Sequence, residues 1–132
     1  MILQASTQTL TAQAGSNPGA NVPVLVEFEE LLRGQPSDGR SAQSASSQMA
    51  TGGTTKVTIL AAPTDARMRR VPRRIQFKNV SASTIGYTFR WEDTAATVTA
   101  VIVMTVSLLT GECGEWTLDD GWKFFSTSGN VK

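Results

Sequence analysis

Six cationic side chains, Arg67, Arg69, Arg70, Arg73, Arg74 and Lys78, fall within twelve residues, and no acid interrupts them. Like charges held this close repel one another, so folding must supply each with a counter-charge or with water. Five of the six are arginines, whose planar forks suit two-pronged contacts with carboxylate or phosphate. Two acidic groups complement them: Glu27, Glu29 and Glu30 early in the chain, and Glu112, Glu115, Asp119 and Asp120 near its end. The charges have four possible fates: pairing within the fold, salt bridges to a neighbouring subunit, contact with nucleic acid, or plain solvation. A subunit contact is favoured, ahead of internal pairing, which makes the six cations together with Glu112, Glu115, Asp119 and Asp120 the candidate interface residues. The net charge is only +1, too small a field to draw nucleic acid or a membrane surface, so neither partner is expected.

Other chemistries fit the chain less well. The C-terminal acids lack the regular spacing of oxygen ligands that a calcium loop needs. Asp119 and Asp120 are adjacent and point in different directions, so they do not converge as the acid and base of a glycoside hydrolase. Histidine is absent and cysteine occurs once, at Cys113. That excludes intrachain disulfides, histidine zinc sites, Ser-His-Asp triads and Cys-His dyads. Cys113 has no cation beside it in sequence to lower its pKa and reads as structural. No catalytic residue, metal or cofactor is expected. Asn79-Val80-Ser81 matches a glycosylation acceptor, but no basic-then-apolar leader opens the chain, so synthesis in a cytoplasm is expected and the match is fortuitous. The longest apolar run, Val98 to Leu109, is broken by threonine and serine and falls short of the roughly 20 residues of a spanning helix.

The elements that must position these groups read as strands. With 132 residues, 40% of them hydrophobic, one domain burying about two thirds of its unfolded surface is expected over residues 1–132. The first 21 residues suggest an arm or edge strand ending in turn chemistry. Val22, Val24, Val26 and Phe28 alternate with Pro23, Leu25, Glu27 and Glu29, and Pro23 places that strand's start at an edge. A single helical turn over Glu29 to Arg33 is compatible. Residues 34–55 are rich in serine, glycine, glutamine and threonine with Met49 the one large apolar side chain, so they read as a polar loop ordered by neighbours. Ile75 and Phe77 alternate with Arg74, Gln76 and Lys78. Ile85, Tyr87, Phe89 and Trp91 then form an aromatic-rich row, and the close connection between these strands predicts a β-hairpin. Val98 to Leu109, apolar on both faces, predicts a buried central strand or one that bends from one sheet to another. A last hairpin turns at Asp119-Asp120-Gly121 with Trp116, Leu118, Trp122 and Phe124 inward. The predicted core is Phe77, Tyr87, Phe89, Trp91, Trp116, Trp122 and Phe124. The predicted fold is all-β, a single β-sandwich of immunoglobulin-like or jelly-roll winding.

The C-terminal half also carries a resemblance. Arg74-Ile75-Gln76-Phe77-Lys78-Asn79-Val80-Ser81-Ala82-Ser83 leads to a long apolar strand closed by Leu109-Thr110-Gly111-Glu112. The chain then ends in Asp120-Gly121-Trp122-Lys123 and Gly129-Asn130-Val131-Lys132. This order resembles small virion proteins of tailed bacteriophages, over about residues 55–132 and not the first 54. Cys113-Gly114, ahead of Trp116, departs from that pattern. The resemblance implies a virion location and a non-enzymatic structural role, as capsid decoration, cement or neck component. It implies partners among major capsid, neck or tail subunits, and a homo-oligomer. A fibre adaptor or carbohydrate-binding host-attachment module is the alternative it allows.

Overall fold

The cleanest alternation in the chain sets the centre of the molecule. Ile85, Tyr87 and Phe89 are 1%, 0% and 0% exposed, while Gly86, Thr88 and Arg90 face the opposite side of the same strand. The computed structural model describes residues 2–3, 7–19, 22–36, 42–49, 55–95 and 100–132, with 42–49 described as backbone only. The described residues form strands β1 (Gln8–Ala14), β2 (Val22–Leu32), β3 (Ala42–Met49), β4 (Val57–Leu60), β5 (Met68–Lys78), β6 (Ile85–Asp93), β7 (Ala100–Leu108), β8 (Cys113–Thr117) and β9 (Gly121–Phe125). They make a β-sandwich of two antiparallel sheets, one ordered β4-β1-β6-β7 and the other β3-β2-β5-β8-β9. β1 and β2 lie in opposite sheets, unlike the immunoglobulin order in which the first two strands are neighbours.

The inner rows of both sheets meet in one core. Phe77 of β5 lies 5.5 Å from Tyr87 and 4.8 Å from Phe89 of β6, ring centre to ring centre. Trp122 joins Phe77 and Phe89 from β9, at 6.3 and 5.2 Å, in the tilted and edge-on geometries aromatic pairs prefer. Of the predicted core, Phe77, Tyr87, Phe89 and Trp116 are buried. Trp91, Trp122 and Phe124 are half-buried and pack against it. Leu118, predicted inward, is 40% exposed at the tip of the last hairpin.

The sandwich forms with a different wiring from the one predicted. The tight connection after Lys78 is not a hairpin: β5 and β6 belong to different sheets, and the chain arches across the sandwich. A hairpin would have put Phe77 and Phe89 side by side in one sheet, whereas the arch makes them face each other. Gln8–Ala14, the strand of the expected arm or edge over residues 1–21, is neither, because β1 lies between β4 and β6 with Leu10, Ala12 and Ala14 buried. Leu3, fully buried, bridges to Arg70 in the other sheet.

Residues 34–55 are not one loop. Ala42–Met49 forms β3 and pairs with β2 from Glu29↔Ala42 to Val22↔Met49. Small polar side chains suffice there because the ladder bonds are made by the backbone. Residues 37–41 and 50–54 lie outside the described residues. β2 runs on to Leu32 with no helical turn, and it lies between β3 and β5 rather than at an edge. Pro23 stands opposite Gln48 of β3, one residue before the β2–β5 ladder begins at Val24.

β7 is the largest departure. It is an edge strand, and Val101 and Ile102 are 46% and 61% exposed.

Candidate subunit interface

β5 carries the cationic stretch through the middle of the five-stranded sheet, and this placement decides how each charge is met. Arg70 lies opposite Glu30 in the β2–β5 register and donates to its carboxylate at 2.6 Å. It also reaches the Ala61 carbonyl at 2.9 Å and lies over the Phe28 ring at 5.1 Å. Arg74 pairs with Glu115 of β8, whose carboxylate also accepts from Gln76 at 3.3 Å. Arg67 grips Asp65 at 2.8 Å in the turn before β5, and its hydrogen bonds hold the Asp65 carboxyl down at about 2. Arg69 donates to the Gln35 carbonyl, and Arg73 is half-buried with its own carbonyl accepting the Leu118 N–H. Lys78, at the end of the strand, is exposed and makes no ion pair with a described residue.

Internal pairing therefore takes up Arg67, Arg70 and Arg74, ahead of the subunit contact favoured from sequence. The acids of the C-terminal group disperse in the same way. Glu112 is buried and holds Lys132 at 2.7 Å, while Asp120 holds Lys123 at 3.0 Å and Asp119 is exposed. Lys132 and the Leu109 N–H together keep the Glu112 carboxyl below its ordinary range. The stability from that depressed pKa is present at neutral pH and is lost as pH falls through the lowered value. Among the described residues no three of Cys, Asp and Glu converge to hold a metal ion, and no helix is long and apolar enough to cross a membrane.

No pattern of residue types points to what organises the arch. Asn79 is fully buried, so it is closed to any modifying enzyme, and its side-chain amide makes four hydrogen bonds. Its Nδ2 donates to the Ser83 and Leu108 carbonyls at 2.9 and 2.8 Å. Its Oδ1 accepts from the Ser81 N–H and the Tyr87 hydroxyl, each at 2.9 Å. Its backbone N–H donates to the Glu112 carbonyl, and its own carbonyl accepts from Gly111. Each polar atom of the residue is satisfied, which lets the chain cross between sheets without an orphaned group.

Burial pushes the Tyr87 phenol up to about 12 from its ordinary 10.0. The folded state keeps a proton that the unfolded chain releases, so stability is intact below pH 10 and falls between 10 and 12. The expected slope is about 1.4 kcal/mol per pH unit. Denaturation curves from pH 8 to 12 should show this alkaline loss in the wild type and lack it in Tyr87→Phe.

Two surfaces remain turned outward. One is β7, nine residues without a charge, whose far edge pairs with no described strand. A bulge at Val103 shifts its register against β6, and Ile102 projects beside Arg90. The other is a depression of about 300 Å³ on the outer face of the five-stranded sheet. Pro23, Leu25 and Phe125 give it an apolar wall, and Gln76, Lys78, Cys113 and Glu115 are among the residues that line the rest. Cys113 is half-buried there, opposite Lys78 across the β5–β8 ladder. Comparison with protein-family models, curated proteins and solved structures finds no match to the chain, so these surfaces stand on their own chemistry.

Proposed function

We propose that this chain is a non-enzymatic structural component of a tailed-phage particle, fixed in place by packing against neighbouring subunits. The observation that carries the reading is the uncharged, apolar edge strand β7. Proteins that act as free monomers usually guard such an edge with charge, proline or a covering segment. The other three edges differ from it. β4 has only four residues, β3 is built of small polar residues and Met49, and β9 is bridged at its end by Val131. A neighbour that adds a strand to β7 satisfies its outward N–H and C=O groups and covers Val101 and Ile102. Capsid decoration, cement and neck positions all ask for such contacts, and the resemblance of residues 55–132 to virion proteins points the same way.

The tryptophans give the carbohydrate alternative little support. Trp116 and Trp122 face each other at 6.5 Å within the core cluster instead of forming an open platform.

Ile102→Lys tests the reading, because the side chain is 61% exposed and its replacement should leave melting within about 0.5 kcal/mol of wild type. Incorporation of the variant into particles should fall at least about tenfold, since a charge would be buried without a partner. Wild-type incorporation by a folded Ile102→Lys chain would refute the role given to β7.

A further inference from the structure

The depression on the outer face and the tip of the last hairpin match in apolar character and are opposite in charge. The depression is apolar at Pro23, Leu25 and Phe125 and has one cation, Lys78, that no described acid neutralises. Glu115, which also lines it, is already held by Arg74 and Gln76, so Lys78 sets the local charge. The tip presents the reverse pattern: Leu118, 40% exposed, followed by Asp119 and Asp120. It is held rigid by the Leu118 N–H on the Arg73 carbonyl, at 3.1 Å, and the Asp120 N–H on Thr117 Oγ1, at 3.2 Å. Asp120 pairs with Lys123, whereas Asp119 is exposed and makes no ion pair with a described residue.

Cys113 and Phe125 at the depression and Leu118 at the tip lie at opposite ends of the β8–β9 hairpin. Leu118 is five residue steps from Cys113, about 16 Å at 3.3 Å per step, so no molecule can fill its own depression. We propose that a second copy of this chain fills it: Leu118 of one molecule enters the apolar dish of the next, and Asp119 pairs with Lys78. Such a contact joins two different surfaces, so it propagates head to tail and closes into a ring or runs on as a filament, as the rotation per step dictates. This inference rests on the subunit-packing reading above but uses a surface separate from β7.

Charge exchange tests it on the full chain. Lys78→Glu and Asp119→Lys each change an exposed side chain, so melting should stay at the wild-type value. Sedimentation should show concentration-dependent association of the wild type, weakened about tenfold or more in either variant, since each now opposes like charges. An equimolar mixture of the two variants should restore association, because each tip then meets a depression of opposite charge. Leu118→Asp should weaken association alone and in the mixture. Bulky maleimides should label Cys113 more slowly in the associated wild type than in Lys78→Glu. A wild type that stays monomeric up to about 1 mM, variants that associate like wild type, or a mixture no better than its components would each overturn the proposal. None of these outcomes touches the Ile102→Lys particle test, so the two ideas fail separately.

Discussion

Asn79→Ala should lower the stability of the domain by about 3–5 kcal/mol, as measured by urea denaturation at pH 7. The side chain is fully buried and makes four hydrogen bonds, and truncation leaves three of its partners buried without a replacement, the fourth, the carbonyl of exposed Ser83, being within reach of water. Two of these partners are main-chain carbonyls, one is a main-chain N–H, and one is the Tyr87 hydroxyl. Each orphaned group costs on the order of 1–3 kcal/mol, reduced where a water enters the space the amide vacates. Tyr87→Phe removes only the hydroxyl and should cost about 1–1.5 kcal/mol. The two effects should add to less than their sum, because they share one bond. A loss below about 1 kcal/mol for Asn79→Ala would mean that the arch is held by packing rather than by this network.

Gly114→Ala should cost about 2–3 kcal/mol, an unusually large effect for adding one methyl group. A Cβ at this position would come within 2.4 and 2.5 Å of two atoms of the Phe77 ring and 3.3 Å of Phe124. Phe77 cannot retreat easily, because it is 3% exposed and wedged against Tyr87 and Phe89. Gly114 sits opposite Phe77 on one side and Phe124 on the other, so the backbone of β8 is pinned as well. Phe77→Leu shortens the ring and should restore part of the loss when combined with Gly114→Ala. Thermal melting of the two single variants and the double variant gives the coupling directly, and simple additivity would contradict the steric account. Trp122→Ala, at a half-buried ring, should cost less than the 3–5 kcal/mol typical of a fully enclosed aromatic, about 2–3 kcal/mol.

What the sequence made legible, and what it hid, follows from what a period of two contains. Alternation tells which residues share a face, and Ile75, Phe77, Ile85, Tyr87, Phe89 and Trp116 all lie on the buried rows it indicates. It does not tell which sheet a strand joins. The five of these on β5 and β6 would alternate identically in a hairpin and in an arch, and the difference rests on Asn79, which ties the local turn to Leu108, Gly111 and Glu112, groups distant in sequence. β3 was invisible for another reason: serine, glutamine and alanine carry no apolar signal, and the ladder to β2 uses the backbone.

β7 misled in the opposite direction. A run that is apolar on both faces is the mark of a strand enclosed on both sides, and an edge strand awaiting a partner carries the same mark. Arg70 and Arg74 meet the carboxylates of Glu30 and Glu115, which come from β2 and β8, the strands that flank β5 in a sheet order the sequence did not reveal. Lys78 and Asp119, by contrast, keep their charges turned outward.

The central claim is that this sandwich works by being built into an assembly. Quantitative mass spectrometry of purified, salt-washed phage particles, the assembly proposed above, tests that claim most directly. The account predicts the chain at a fixed, symmetric copy number per particle, lost when Ile102 is replaced by lysine. Particles that are complete and infectious yet contain none of it would contradict the account.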